Sequence, residues 1–382
     1  MSSANDLTIL LTLKDRVAFT VRWMNYANSI TLPFKVLIAD GGSDDRVSAM
    51  LAEKTRFSNV DYEYVRYPCD KSYADYYTKV ANALAKIQTQ FVVMADNDDF
   101  FVVDTLNEAV KFLSVNPDYS SCGGQAGIFW IRRSLLDKRE DPLYGKNVDW
   151  KCAQADSITA DTASERLRSH SMSSCDPYYD VKRIENARKQ FEIVRDLNLK
   201  DLGLVEILVQ FLMAIAGKTK RLERMHIARQ FGSPGSSGRA HYEAYGDWFA
   251  RMLLESWSDD FTKVVKTASG CLAAADGMSI DEAKDCVISS YRMVAAPWLL
   301  SDVLNEHSVS MQMTIVAAIG KRIVGLPEDS IMKKFMRFLY RKIHRIALNA
   351  GFGMELFTTP AMNSRRDFTP IREFLAHPLL FE

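Results

Sequence analysis

The chain has 382 residues, 47% of them hydrophobic and 25% charged, and its 48 Lys plus Arg balance its 48 Asp plus Glu. That length exceeds one ordinary core, so the composition predicts a soluble globular protein with two domains. The zero net charge argues against a nucleic-acid partner, which would need a local basic patch.

Six cysteines (Cys69, Cys122, Cys152, Cys175, Cys271 and Cys286) form no CxxC pair and no Cys/His metal spacing. They read as reduced thiols. The first residues lack a basic n-region, and the apolar run 7–13 is too short for a signal peptide. The most apolar stretch, 202–216, carries Glu206 and Gln210 and is shorter than a membrane span. The expected location is cytoplasmic.

In chain order, the first part alternates strand-like and helix-like patterns. Strand candidates cover 7–13, 34–39, 60–65 and 91–95, with helical spacing over 17–27, 47–56 and 73–87 between them. Such alternation predicts an α/β fold, a mostly parallel sheet with flanking helices. Right-handed crossovers then gather the strand C-terminal ends on one edge, where ligands bind. From 119 the alternation loosens. Residues 119–132, with Cys122-Gly123-Gly124, suggest strand, turn and strand. Residues 137–182 read as a polar loop region or lid, and 184–197 and 202–216 as helices. The Gly/Ser/Pro stretch 232–238 reads as linker or lid. Beyond it, helical patterning over 243–256, 262–275, 280–295, 298–306, 309–323 and 330–348 predicts an all-helical C-terminal domain. The predicted division is a catalytic domain over 1–231, a linker or lid over 232–240 and the helical domain over 241–382.

Asp96-Asn97-Asp98 follows the fourth strand candidate. Two carboxylates one residue apart can converge on a hard cation such as Mg²⁺ or Mn²⁺ and, through it, on a diphosphate. The competing reading is a capping cluster, with Asp98 or Asp99 capping a helix that starts near Asp104. Asp40-Gly41-Gly42-Ser43 ends the second strand candidate. Its carboxylate can accept from a base imino N–H, and its glycines allow close backbone approach; the alternative is a plain strand-to-helix turn. Thr12-Leu13-Lys14-Asp15-Arg16 follows the first strand, placing cations where phosphate or base could meet them.

Together these three turns resemble the nucleotide-sugar half of GT-A fold glycosyltransferases, the family 2 group above all. The resemblance covers residues 5–130 well and 131–230 loosely, and it does not reach the C-terminal helices. It implies a GT-A-like fold and transfer of a hexosyl group from a nucleoside-diphosphate sugar to a glycan or lipid-linked sugar hydroxyl, with inversion, as in polysaccharide biosynthesis. It implies donor contacts from Thr12, Lys14, Arg16, Asp40, Gly41, Lys79, Asp96, Asn97 and Arg229. It also implies Mn²⁺ or Mg²⁺ held by Asp98, with His226 as a further ligand. The first of the family's two acids before Gly-Ser is here Ala39, which leaves the base open. An inverting enzyme needs a general base toward the acceptor. Glu206 is the candidate, on the expectation that burial raises its pKa, and Asp201 is the alternative, with Asp180 and Asp176 also competing. Ser164-Glu165-Arg166, His170 and Tyr178-Tyr179 fall where acceptor contacts would lie, or simply in packing. Lys333, Lys334, Arg337, Arg341, Lys342 and Arg345 surround an apolar stripe in 333–348. That helix either docks on an anionic membrane or packs with its basic side in water. Two other readings stay open: a catalytically degenerate GT-A domain that binds glycan or nucleotide, and a sugar nucleotidyltransferase, although the first turn lacks that class's glycines.

Overall fold

The structure is a computed structural model that describes residues 6–131, 143–146, 148–173, 177–231, 233, 237–307 and 362–377. Four parallel strands form one half of the sheet: β1 (Leu7–Leu13), β2 (Lys35–Asp40), β3 (Tyr62–Arg66) and β4 (Phe91–Ala95). They lie in the order β3-β2-β1-β4, with Leu11 opposite Ile38 on one side and Ala95 on the other. The connecting helices are α1 (Val17–Ser29), α2 (Arg46–Ala52) and α3 (Tyr73–Lys86). Both faces of β1 are buried: Ile9, Leu11 and Leu13 enter one apolar cluster and Leu10 the other. That is why the strand reads as a continuous apolar run rather than an alternating one.

The second half departs from parallel order. It contains β5 (Phe100–Phe101), α4 (Val103–Val115), β6 (Tyr119–Ile131), β7 (Val148–Ala153), α5 (Ala163–Met172), β8 (Val181–Arg183), α6 (Ile184–Leu197), α7 (Leu202–Ala216) and β9 (Lys218–Gln230). β8 is antiparallel to both β4 and β6, while β6 and β9 run parallel with register shifts. Two expectations are corrected here. Residues 119–131 are one long strand, not strand, turn and strand; Gly123 and Gly124 sit at its irregular register, where a Cβ on Gly124 would meet the Arg224 carbonyl at 2.0 Å. The region 137–182, expected as irregular, contributes β7, α5 and β8. Their short, polar sequences hide pairing that only the neighbouring strands supply.

After β9 come α8 (Ser237–Tyr245), α9 (Trp248–Met252), α10 (Glu255–Asp276), α11 (Ile280–His307) and α12 (Met362–Ala376). The single helix expected over 243–256 is interrupted at Gly246, whose φ of 80° is left-handed. The two expected over 280–306 are one, with Pro297 inside it. α10 joins the cluster of α3, α6 and α7 through Trp257, Val264 and Leu272. Asp260 accepts from the amides of Lys200 and Asp201 at the start of α7, and Asp276 from those of Ala163 and Ser164 at the start of α5. Both carboxylates thus satisfy orphan helix donors from another element. Phe368, Ile371 and Phe374 of α12 pack with Phe100, Phe129 and Met225. The basic stretch 333–348 lies outside the described residues. No described helix is long and apolar enough to cross a membrane.

Candidate active site

Three turns leave the same sheet edge, at the C-terminal ends of β1, β2 and β4. The β4 turn brings the carboxylates of Asp96, Asp98 and Asp99 together, with ligand atoms all within 4.8 Å of one another. Asp98 and Asp99 are 7% and 3% exposed. Neither caps the following helix, whose N-cap is Val102 without a side-chain bond. Burial first and the charge of Asp98 second raise the pKa of both Asp96 and Asp99, Asp99 well above the ordinary range.

Each carboxylate has protein donors. Tyr179 Oη donates to Asp96 Oδ2 at 2.6 Å, and Thr12 Oγ1 lies 3.4 Å from Oδ1. Arg16 approaches Asp98 Oδ2 with both terminal nitrogens at 3.1 Å, and Ser233 donates to the same oxygen. Arg229 Nε lies 3.4 Å from Asp99 Oδ2, its guanidinium 4.4 Å above the Tyr179 ring. Ser233 itself therefore reaches the acidic cluster. Thr12 also meets Tyr76 Oη at 3.0 Å, and Tyr76 meets Tyr178 at 3.4 Å, so tyrosines line the side toward α3 and β8.

The turn after β1 is backbone-strained. Asp15 and Arg16 both adopt positive φ, 56° and 55°, a conformation unusual outside glycine. Asn97 braces it: its amide donates to Thr20 Oγ1 at 3.1 Å and reaches the Arg16 carbonyl at 3.4 Å. Asn97, expected among the donor contacts, has its side chain buried against α1. Lys14 is exposed at this turn.

At the end of β2, Asp40 is wholly buried and accepts from Gly42 N at 2.8 Å and from Tyr64 Oη and Arg66 Nη1 at 2.7 Å each. Burial and Asp40 push the Tyr64 phenol up to about 12. A Cβ on Gly41 would meet the Asp70 carboxyl at 2.4 Å. Asp70 in turn pairs with Lys79, which also donates to the Leu13 carbonyl at 2.8 Å. Lys79, expected to face the donor, is 2% exposed and ties α3 to the end of β1 instead. A buried ammonium keeps its charge only beside such partners.

His226, expected as a further metal ligand, lies outside the carboxylate cluster. It is buried beside Asp180, Nε2 to Oδ1 3.7 Å, and Asp180 pairs with Arg221; among the described residues no histidine joins the carboxylate cluster. Burial, only partly opposed by Asp180, lowers the imidazole pKa to about 4. Strand alternation explains the placement, since Ile227 and Met225 occupy apolar clusters to either side.

Of the base candidates, Asp201 caps α7, accepting from Leu204 N at 2.9 Å, and is held by Arg251 Nη1 at 2.8 and 3.0 Å, with His241 at 3.4 Å. Burial raises its pKa, but the bonds from His241 and Leu204 and the Arg251 charge outweigh it, leaving the carboxyl below its usual range. Glu206, expected to be buried, is exposed. It stands close enough to Tyr73 and Tyr77 for its charge to act on both phenols, and Asp96 also acts on Tyr77. Asp176 lies outside the described residues. Arg166 binds the Ala214 and Ile215 carbonyls and His170 meets Gln210, both inside the helical packing.

The sequence reading passed over Asp99 as a site residue, and it missed Arg66, Tyr64, Tyr76 and Ser233. The acid following DxD was the available signal for Asp99. The others come from strand pairing and loop return, which no local pattern carries.

Fold and site together define a mixed α/β protein with a carboxylate cluster at the edge where the parallel strands end. No protein-family model matches the sequence, and no curated protein matches it. Solved structures with a similar arrangement include S. aureus TarS, at 14% identity and TM-score 0.46, covering 84% of this chain. This chain spans 49% of that one, about half its length. S. aureus TarS 1–349 in complex with UDP-GlcNAc has 14% identity and TM-score 0.48, over 84% of this chain and 82% of that one. The mannosyltransferase PcManGT from Pyrobaculum calidifontis, in complex with GDP-Man and Mn2+, has 12% identity and TM-score 0.39, over 90% and 86%. These are likenesses of general architecture.

Proposed function

We propose that the chain is a metal-dependent glycosyltransferase that moves a sugar from a nucleoside-diphosphate sugar to a glycan or lipid-linked sugar hydroxyl with inversion. The observation that carries this reading is the convergence of Asp96, Asp98 and Asp99 on the sheet edge that also presents Thr12, Arg16 and Asp40.

The donor set fits a divalent cation: three hard carboxylate oxygens suit Mg²⁺ or Mn²⁺, and burial with mutual repulsion disfavours their shared charge. Asp96, Asp98 and Asp99 would hold the ion, which when bound neutralises the departing nucleoside diphosphate. Arg16 and Arg229 flank the cluster as phosphate-binding cations. Beside the turn after Asp40, Arg66 would donate to the carbonyl edge of the base. The tyrosine-lined side toward α3 and β8 receives the acceptor. There Glu206 accepts the proton of the attacking hydroxyl, while Asp201, ionised and fully bonded, positions the start of α7.

The test is thermal unfolding with a panel of nucleoside diphosphates, with and without Mn²⁺. Ligand at a hundredfold over its Kd adds roughly 2.7 kcal/mol. A Mn²⁺-dependent shift with one nucleotide, lost in Asp98→Ala, is the expected result. No shift with any nucleotide would sink the reading; binding without donor hydrolysis or transfer would favour the degenerate-domain alternative.

A further inference from the structure

Arg16 and the cation proposed for the carboxylate cluster compete for one oxygen. All three donors that Asp98 receives from side chains among the described residues fall on Oδ2: both terminal nitrogens of Arg16 at 3.1 Å and the Ser233 hydroxyl. A second guanidinium stands behind it. Arg22 is 0% exposed and donates to the Asp98 carbonyl at 3.0 Å and to Gln230 Oε1 at 2.7 Å. Both cations stack on the Phe19 ring, the Arg16 guanidinium 4.0 Å and that of Arg22 4.8 Å from its centroid.

Bringing a dication to Asp98 would place three positive groups around one carboxylate, an arrangement that Coulomb repulsion disfavours at low local dielectric. Arg22 is enclosed and anchored and has nowhere to go. Arg16 has a way out: its side chain is 18% exposed, and it sits on two consecutive left-handed residues at the sheet edge.

We propose that Arg16 is a built-in counter-cation that holds Asp98 in the metal-free protein and is displaced from it when a divalent cation binds, while Arg22 stays in place. Arg16 is thus a positioning residue whose release couples metal binding to the turn after β1. The inference rests on the donor-site reading above.

The experiment is calorimetric titration of the full chain with Mn²⁺, without nucleotide, for wild type and Arg16→Gln. Removing the competitor is expected to tighten Mn²⁺ binding about fivefold, a factor appropriate to a partly exposed ion pair. Unchanged or weaker binding in a folded Arg16→Gln overturns the proposal. Should that variant not fold, the wild type answers by NMR of arginine Nε–H signals during Mg²⁺ titration. The Arg16 signal should move with saturation while that of Arg22 does not, and a stationary Arg16 signal in a protein that binds Mg²⁺ overturns the proposal. If neither protein binds a divalent cation, the Arg16 proposal falls, while the donor reading is judged separately by the nucleotide-dependent thermal shift.

Discussion

Tyr179 Oη donates to Asp96 Oδ2 at 2.6 Å, joining the residue just ahead of β8 to the end of β4 across 83 positions of sequence. The phenol is itself held by Arg229, whose Nη2 lies 3.2 Å away. One hydroxyl therefore links two members of the carboxylate cluster's surroundings.

Tyr179→Phe keeps the ring and removes only that donor. The expected loss is about 1.5–3 kcal/mol of stability in urea unfolding, the range for a hydrogen bond to a charged group. An unchanged unfolding midpoint and slope would mean that the Asp96 carboxylate finds a replacement donor.

Two glycines make opposite predictions. Gly124→Ala would drive a Cβ to 2.0 Å from the Arg224 carbonyl, a backbone atom of the adjoining strand. A loss of about 3 kcal/mol is expected, at the upper end for overpacking. Gly270 lies in α10 with nothing within 4 Å of its would-be Cβ, so Gly270→Ala should gain about 0.5–1 kcal/mol. Thermal unfolding of the two variants side by side checks both signs.

The His226 imidazole is buried and its pKa is lowered from 6.5 to about 4. Between those values the unfolded chain binds a proton that the native state refuses, so stability falls as pH drops from 6.5 toward 4. The contribution at stake is about 3 kcal/mol. The difference in unfolding free energy between wild type and His226→Gln should therefore shift in favour of the variant as pH is lowered from 7 to 4.5. A difference constant with pH would show that the ring titrates normally.

The base assignment separates two acids of α7. Glu206→Gln should lower transfer to acceptor by roughly 10²–10⁴ while leaving the nucleotide-dependent thermal shift intact. Asp201→Asn removes the partner of Arg251 and His241 inside a buried cluster, and about 3 kcal/mol of stability should go with it. A stable Asp201→Asn variant that has lost transfer would exchange the two roles.

The legible elements are those in which local and global signals agree. The residues of β1, β4, α6 and α7 are continuous apolar runs or amphipathic repeats bounded by polar turns, and their ends fall where those patterns stop. The acidic turns followed from position, since acids just past buried strands have little reason to be there except chemistry or capping. By contrast, β8 is three residues long and gains strand character only by lying between β4 and β6. β9 carries Lys218, Lys220, Arg221, Glu223 and Arg224, a charged pattern that resembles a surface loop until β6 and β5 pair with it.

The sequence by itself determined the alternating α/β architecture, the edge at which the strand C-terminal ends gather and the acids found there, because hydrophobic period and crossover handedness are local constraints. The tertiary structure decided which polar side chains face that edge and which are spent elsewhere. Lys79 went to Asp70, Asn97 to Thr20, and His226 to a buried place beside Asp180. Those outcomes depend on which partner lies nearest once distant strands have paired. A buried charge or amide must take whatever donor or acceptor the completed fold brings within reach.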